Sequence, residues 1–148
     1  AGPAQAVPEN LLRLASIVSP NETEAEAITG LTVDSPETAS RSARRLQELG
    51  VREVVLKMGA QGSFHLGADG VETFAPAFSV HAVDTTAAGD AFTAALAIAL
   101  GAVPVRDALA FANATGALAA MVAGAQPSMP MRSAVDGFLR EQAGRTSS

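Results

Sequence analysis

Strand-like and helix-like segments alternate along this chain from residue 9 to residue 142, and that alternation leaves few folds open. Glu9 to Leu14 reads as a short helix, and Ser16 to Ser19 as a short buried strand ending at Pro20. Asn21 stands at a helix N-cap position, ahead of Glu22 to Ile28 and a stop at Gly30. Ser35 caps a second helix, with Pro36 at its first position, that runs to Leu49. Val51 to Met58 is a β-branched strand and Gly59-Ala60-Gln61-Gly62 a turn. Ser63 to Leu66 and Val71 to Phe74 form a hairpin around Gly67-Ala68-Asp69-Gly70. Val80 to Val83 reads as a last short strand, and helices follow at Ala91 to Leu100, Pro104 to Val122 and Ser133 to Gln142. The pattern implies an α/β layer fold with a mostly parallel sheet, in which ligands gather at the carboxyl ends of strands.

Composition narrows the function classes. The 148 residues are 48% hydrophobic, enough for a packed core and too apolar for a disordered chain. Fifteen acidic against ten basic residues give a net charge of −5, and Arg44-Arg45 is the one basic pair, on a helical stretch that reads as a solvated face. A nucleic-acid partner is therefore not expected. The absence of cysteine excludes disulfide, thiolate and zinc-ribbon readings and is compatible with a cytoplasmic location. The longest weakly polar run, Ala91 to Val105, is broken by Gly101 and Pro104, so no membrane span is expected. The start, Ala1-Gly2-Pro3-Ala4-Gln5, lacks a signal peptide's basic region and reads as a cut end; Arg145 to Ser148 reads as a frayed tail.

The turn Asp84-Thr85-Thr86-Ala87-Ala88-Gly89-Asp90 carries the most chemistry. Small residues at 87, 88 and 89 allow a ligand close to the backbone where a helix begins, so free N–H groups and the helix dipole make an anion site. Gly89 can also adopt backbone angles closed to other residues. An aspartate placed next to that site, Asp90, suits a base that takes a proton from an attacking hydroxyl while the amides stabilise a transferring phosphoryl group. The local alternative is that Asp90 caps its helix and the small residues merely pack closely.

Asp84 to Phe92 resembles the DTxxAGD signature of the ribokinase-like (PfkB) carbohydrate kinases. Three further segments agree in order and spacing. Pro20 to Glu26 resembles the family's Asn-x-x-Glu block, Val54 to Gly62 its TLGxxG strand-turn, and Gly124 to Pro130 its GAQPSxP loop. The resemblance implies the C-terminal part of a three-layer α/β/α fold and ATP-dependent phosphorylation of a sugar hydroxyl. Ala87-Ala88 together with Gly-Ala-Gln-Pro-Ser points to the branch that takes D-ribose to ribose 5-phosphate, over the fructose and adenosine branches.

Carried over by position, Asp90 is implied as the base that meets the sugar hydroxyl, and Ala87, Ala88 and Gly89 as the γ-phosphate anion hole. Asn21 is implied at the nucleotide phosphates, Glu24 at Mg²⁺ through water, and Gly59, Gln61 and Gly62 under the ATP ribose and phosphates. Asn113 is implied near the adenine. A K⁺ activator is implied at Asp84, Thr86, carbonyls near Ala119, Val122 and Gly124, and Ser128. Read without the family, Asn21 is a plain N-cap, 59–62 a strand-ending turn, Asp84 a turn-stabilising carboxylate and Asn113 a polar residue between helices.

Two departures bear on the reading. Lys57 stands where the family usually has Thr, so it either adds a cation for the triphosphate or extends into solvent. Family members are also roughly twice as long, which implies that a first half with the lid, the dimer interface and most sugar contacts is absent. The alternative function is then a non-catalytic nucleotide-binding or self-associating fragment, or a kinase for another sugar or nucleoside. His65 and His81 have no evident partners, and Met58, Met121, Met129 and Met131 read as core or lid packing.

Overall fold

A computed structural model describes residues 7–124 and 129–146. The chain divides into two units, Ala1–Ala75 and Pro76–Ser148.

In the first unit, helices α1 (Glu9–Leu12), α2 (Glu22–Thr29) and α3 (Pro36–Glu48) accompany strands β1 (Ile17–Val18), β2 (Glu53–Lys57), β3 (Gly62–Leu66) and β4 (Glu72–Pro76) in a sheet of order β1-β2-β3-β4. Local chemistry sets the helix ends. Asn21 and Ser35 both close capping boxes, Pro36 occupies the first turn of α3, and Gly30 ends α2 in the left-handed conformation. β1 and β2 pair in parallel, Ile17 with Glu53 and Val18 with Val54. β3 runs antiparallel to β2, because only the single 3₁₀ turn Gly59–Gln61 separates them. The α/β class is as expected, but the described sheet is mixed: short connections can join only antiparallel neighbours.

The register sorts the side chains by pleat. Val54 opposite Leu66 and Leu56 opposite Phe64 enter one core with Ala25 of α2 and Ala39, Ala43 and Leu46 of α3. Each fully buried valine or leucine side chain there contributes about 1.5–3 kcal/mol. Val55 and Lys57 point the other way, opposite His65 and Ser63. His65, which the sequence left without a partner, lies buried on that face with its Nε2 against Glu53 Oε1. Its Nδ1 and the Ser63 hydroxyl have no hydrogen-bond partner among the described residues. Met58 is core, whereas Met121, Met129 and Met131 are exposed, against the expectation of packing for all four.

The second unit contains α4 (Ala88–Ala99), α5 (Val105–Ala120) and α6 (Arg132–Thr146). Its helices are built from alanine-rich faces, with Ala91, Ala95 and Leu96 of α4 and Ala108, Leu109 and Ala112 of α5 buried. Gly116, one turn before the end of α5, lets the two helices close up: a methyl group there would stand 3.1 Å from the Ala88 carbonyl oxygen and 3.6 Å from Phe92 Cβ. Phe78 meets Phe138 of α6 edge-on at 5.3 Å, and the Arg132 guanidinium lies 4.7 Å over the Phe111 ring.

Several boundaries differ from expectation, and the last helix runs on to Thr146, so Arg145 and Thr146 of the tail expected to fray are helical. Residues 80–83 form no strand, because a strand needs a ladder partner and this segment finds none among the described residues. α4 begins at Ala88, three residues earlier than expected, so Gly89 and Asp90 lie in its first turn, where the acidic side chain meets the positive end of the helix. No helix among the described residues is long and apolar enough to cross a membrane.

Candidate functional site

Parallel pairing in the first unit sets the carboxyl ends of β1 and β2 side by side. The Lys57 amide donates to the Pro20 carbonyl at 2.9 Å, and one further parallel bridge joins Asn21 to Lys57. The start of α2 and the Gly59–Gln61 turn are therefore neighbours. Gly59 has φ +50°, and a methyl group on it would stand 3.2 Å from Glu22 Oε1. Gly62 closes the turn by accepting from the Met58 amide at 2.8 Å.

Asn21 and Glu24 are bonded first of all to each other. Asn21 Oδ1 accepts from the Glu24 amide at 2.8 Å, and Glu24 Oε2 accepts from the Asn21 amide at 2.9 Å. The N-cap reading of Asn21 is thus realised, leaving Glu24 one carboxylate oxygen outside the box. The Gln61 side chain donates to the Asp34 carbonyl at 2.8 Å, which commits it to the loop before α3. Lys57, half-buried at the end of β2, brings a cation to this edge.

In the second unit, Ala87 precedes α4 without offering a side-chain cap. The Ala88 amide turns back to the Thr85 carbonyl at 3.2 Å, whereas among the described residues the amides of Gly89 and Asp90 have no acceptor. Gly89 lies in the first helical turn and is absent from the glycines with positive φ, so the conformational freedom expected of it is not used. Its lack of a side chain instead leaves the first turn open to close approach. Asp90 is exposed on the same turn, at the positive end of the helix.

The loop ahead of α4 is fastened to the far end of α5. The amides of Val83 and Asp84 both donate to the Ala120 carbonyl, at 2.7 and 3.0 Å. Asp84 Oδ1 accepts from the Thr86 hydroxyl at 2.6 Å and the Thr86 amide at 2.9 Å, and Oδ2 from the Gly124 amide at 3.2 Å. The Thr86 hydroxyl, then the Thr86 and Gly124 amides, hold the Asp84 carboxyl below the usual carboxylate range. Asp84, Thr86 and Gly124 are thereby brought together. The Ala119 carbonyl, expected at the same cation, accepts from the Val122 amide at 3.3 Å. Ser128 and the preceding Ala125-Gln126-Pro127 lie outside the described residues.

The oxygen-only donors at Asp84 and Thr86 suit a hard cation. Among the described residues, no three His, Cys, Asp or Glu side chains group to hold a metal ion. Asn113 is buried and donates from Nδ2 to the Pro76 carbonyl at 3.2 Å. The Thr85 and Ala120 carbonyls, which shape the turn, were not legible in the sequence, since every residue carries a carbonyl.

Comparison with known proteins places these features in context. Residues 1–132 match the family model described as pfkB family carbohydrate kinase. A ribokinase of Arabidopsis thaliana is 41% identical over 138 residues, covering 90% of this chain and 36% of the relative. The solved structure of Arabidopsis thaliana ribokinase complexed with ribose and ATP superposes with a TM-score of 0.85 at 36% identity, over 92% of this chain and 44% of that one. A candidate ribokinase II of E. coli, in complex with ATP and Mg²⁺, gives a TM-score of 0.76 at 30% identity, over 90% and 42%. The chain spans less than half the length of the relatives it matches.

Proposed function

The chain belongs to the pfkB family of carbohydrate kinases, and from that premise we propose that it is the C-terminal, nucleotide-binding portion of an enzyme that transfers the γ-phosphoryl group of ATP to a sugar hydroxyl. D-ribose, giving ribose 5-phosphate, is the proposed substrate, on the strength of relatives named ribokinase and of one solved with ribose and ATP. The observation that carries the reading is the first turn of α4, where the amides of Gly89 and Asp90 lack acceptors beside an exposed Asp90 carboxylate.

In the proposed reaction Asp90 takes the hydroxyl proton as the sugar oxygen bonds to the γ-phosphorus and the bond to the β,γ-bridging oxygen breaks, releasing ADP. The Ala87–Gly89 turn receives the charge that develops on the phosphoryl oxygens. Asn21, Lys57, Gly59, Gln61 and Gly62 of the first unit are proposed as nucleotide contacts, and Asn113 of the second as an adenine neighbour. Since Gln61 already bonds Asp34, its part would fall to its backbone.

Mg²⁺ commonly takes one or two carboxylates and completes its shell with water and substrate phosphate, where it offsets phosphate charge. The Glu24 oxygen left outside the capping box fits that role through water. K⁺ would be held by Asp84, Thr86 and carbonyls near Ala119, Val122 and Gly124, with Ser128. A homodimer in the cytoplasm is the proposed setting of the protein at its native length, and the present chain alone is proposed to bind nucleotide without phosphorylating sugar.

Calorimetric titration of the chain with Mg·ATP in KCl tests the site. Asp90→Asn is expected to keep or tighten binding by removing a like charge, and Gly89→Val to abolish it by covering the first turn. Equal affinity in wild type and Gly89→Val would remove the anion site from this turn.

A further inference from the structure

Gly116 lies inside the 16-residue helix α5, one turn before its end, where glycine costs about 1 kcal/mol relative to alanine. Its neighbours in α5 include Ala112, Ala114, Ala119 and Ala120, so small size alone does not explain a glycine at this one place. The packing does. A methyl group at Gly116 would stand 3.1 Å from the Ala88 carbonyl oxygen, closer than such contacts ordinarily run, so the carbonyl would have to move by a few tenths of an ångström.

That carbonyl does not move by itself. The Ala88 carbonyl and the Gly89 N–H belong to one planar peptide unit, so displacing the oxygen re-aims the amide. The Gly89 amide has no acceptor among the described residues, and it is one of the donors assigned to the transferring phosphoryl group. We propose that Gly116 is a positioning residue for phosphoryl transfer: by lacking a side chain it seats α5 against the Ala88–Gly89 peptide and fixes the direction of the Gly89 amide. The proposal rests on the reading of the α4 first turn as the anion site.

Gly116→Ala is the informative change, because alanine favours the helix while crowding the peptide. A purely structural glycine would show its effect in stability alone. In the protein at its native length, Gly116→Ala is expected to hold or raise the melting temperature while kcat falls about tenfold, less than the 10²–10³ for losing such a donor outright. KM for ATP is expected to stay within about twofold of wild type. The Gly89 amide resonance, followed in the same proteins by ¹⁵N–¹H spectroscopy, is expected to shift. A kcat within about twofold of wild type, or an unmoved Gly89 resonance, overturns the proposal; if Gly116→Ala melts below wild type, the resonance decides. Asp90→Asn serves as the control. If it is inactive while Gly116→Ala is fully active, only the role of Gly116 falls. If Asp90→Asn is itself active, the underlying reading of the turn falls too.

Discussion

Asn21 caps a helix and is proposed to meet a nucleotide, and substitution can part the two tasks. Aspartate caps as well as asparagine, so Asn21→Asp is expected to leave thermal stability near wild type while weakening Mg·ATP binding through its added charge. Asn21→Ala should instead cost about 1 kcal/mol of stability in chemical denaturation, since it opens the capping box with Glu24. Asp84 gives a pH dependence. Its folded carboxyl is held below the usual range, so the stability it contributes is present above the unfolded value and is lost as pH falls through the folded one. Thermal melts of wild type and Asp84→Asn should therefore differ at neutral pH and converge as the pH drops below about 4. Convergence on raising the pH would contradict the assignment.

Elements were legible where their causes are local. Asn21, Ser35, Pro36 and Gly30 mark helix ends by chemistry that acts within a few residues, and each lies where that chemistry predicts. Residues 80–83 have a strand's composition but no ladder partner among the described residues, and no local pattern reveals that. The pairing of His65 with Glu53 depends on the register of two strands, and the need for glycine at 116 depends on a helix more than fifteen residues away. The candidate site divides the same way: the motif residues could be picked out from the sequence, while the Thr85 and Ala120 carbonyls that shape the turn could not. The mixed sheet carries its own prediction. Leu56 is fully buried between β3 and the helices, so Leu56→Ala is expected to cost about 2–5 kcal/mol in urea unfolding. A loss well under that range would mean the core closes around the cavity.

For the molecule as a whole, nucleotide binding and stability are linked. A ligand that binds only the folded chain adds about 2.7 kcal/mol at one hundred times its Kd, so saturating Mg·ATP should raise the melting temperature, and Gly89→Val should erase the rise. The net charge of −5 repels an anion at long range, so the proposed affinity would rest on short-range donors. One such short-range feature sets a timescale as well as a geometry. Because a single carbonyl, that of Ala120, receives the amides of both Val83 and Asp84, the last turn of α5 and the loop ahead of α4 open together or stay shut together. Those two amides should show a common protection against deuterium exchange, set by fraying of the helix end, making that end the clock by which the loop is released.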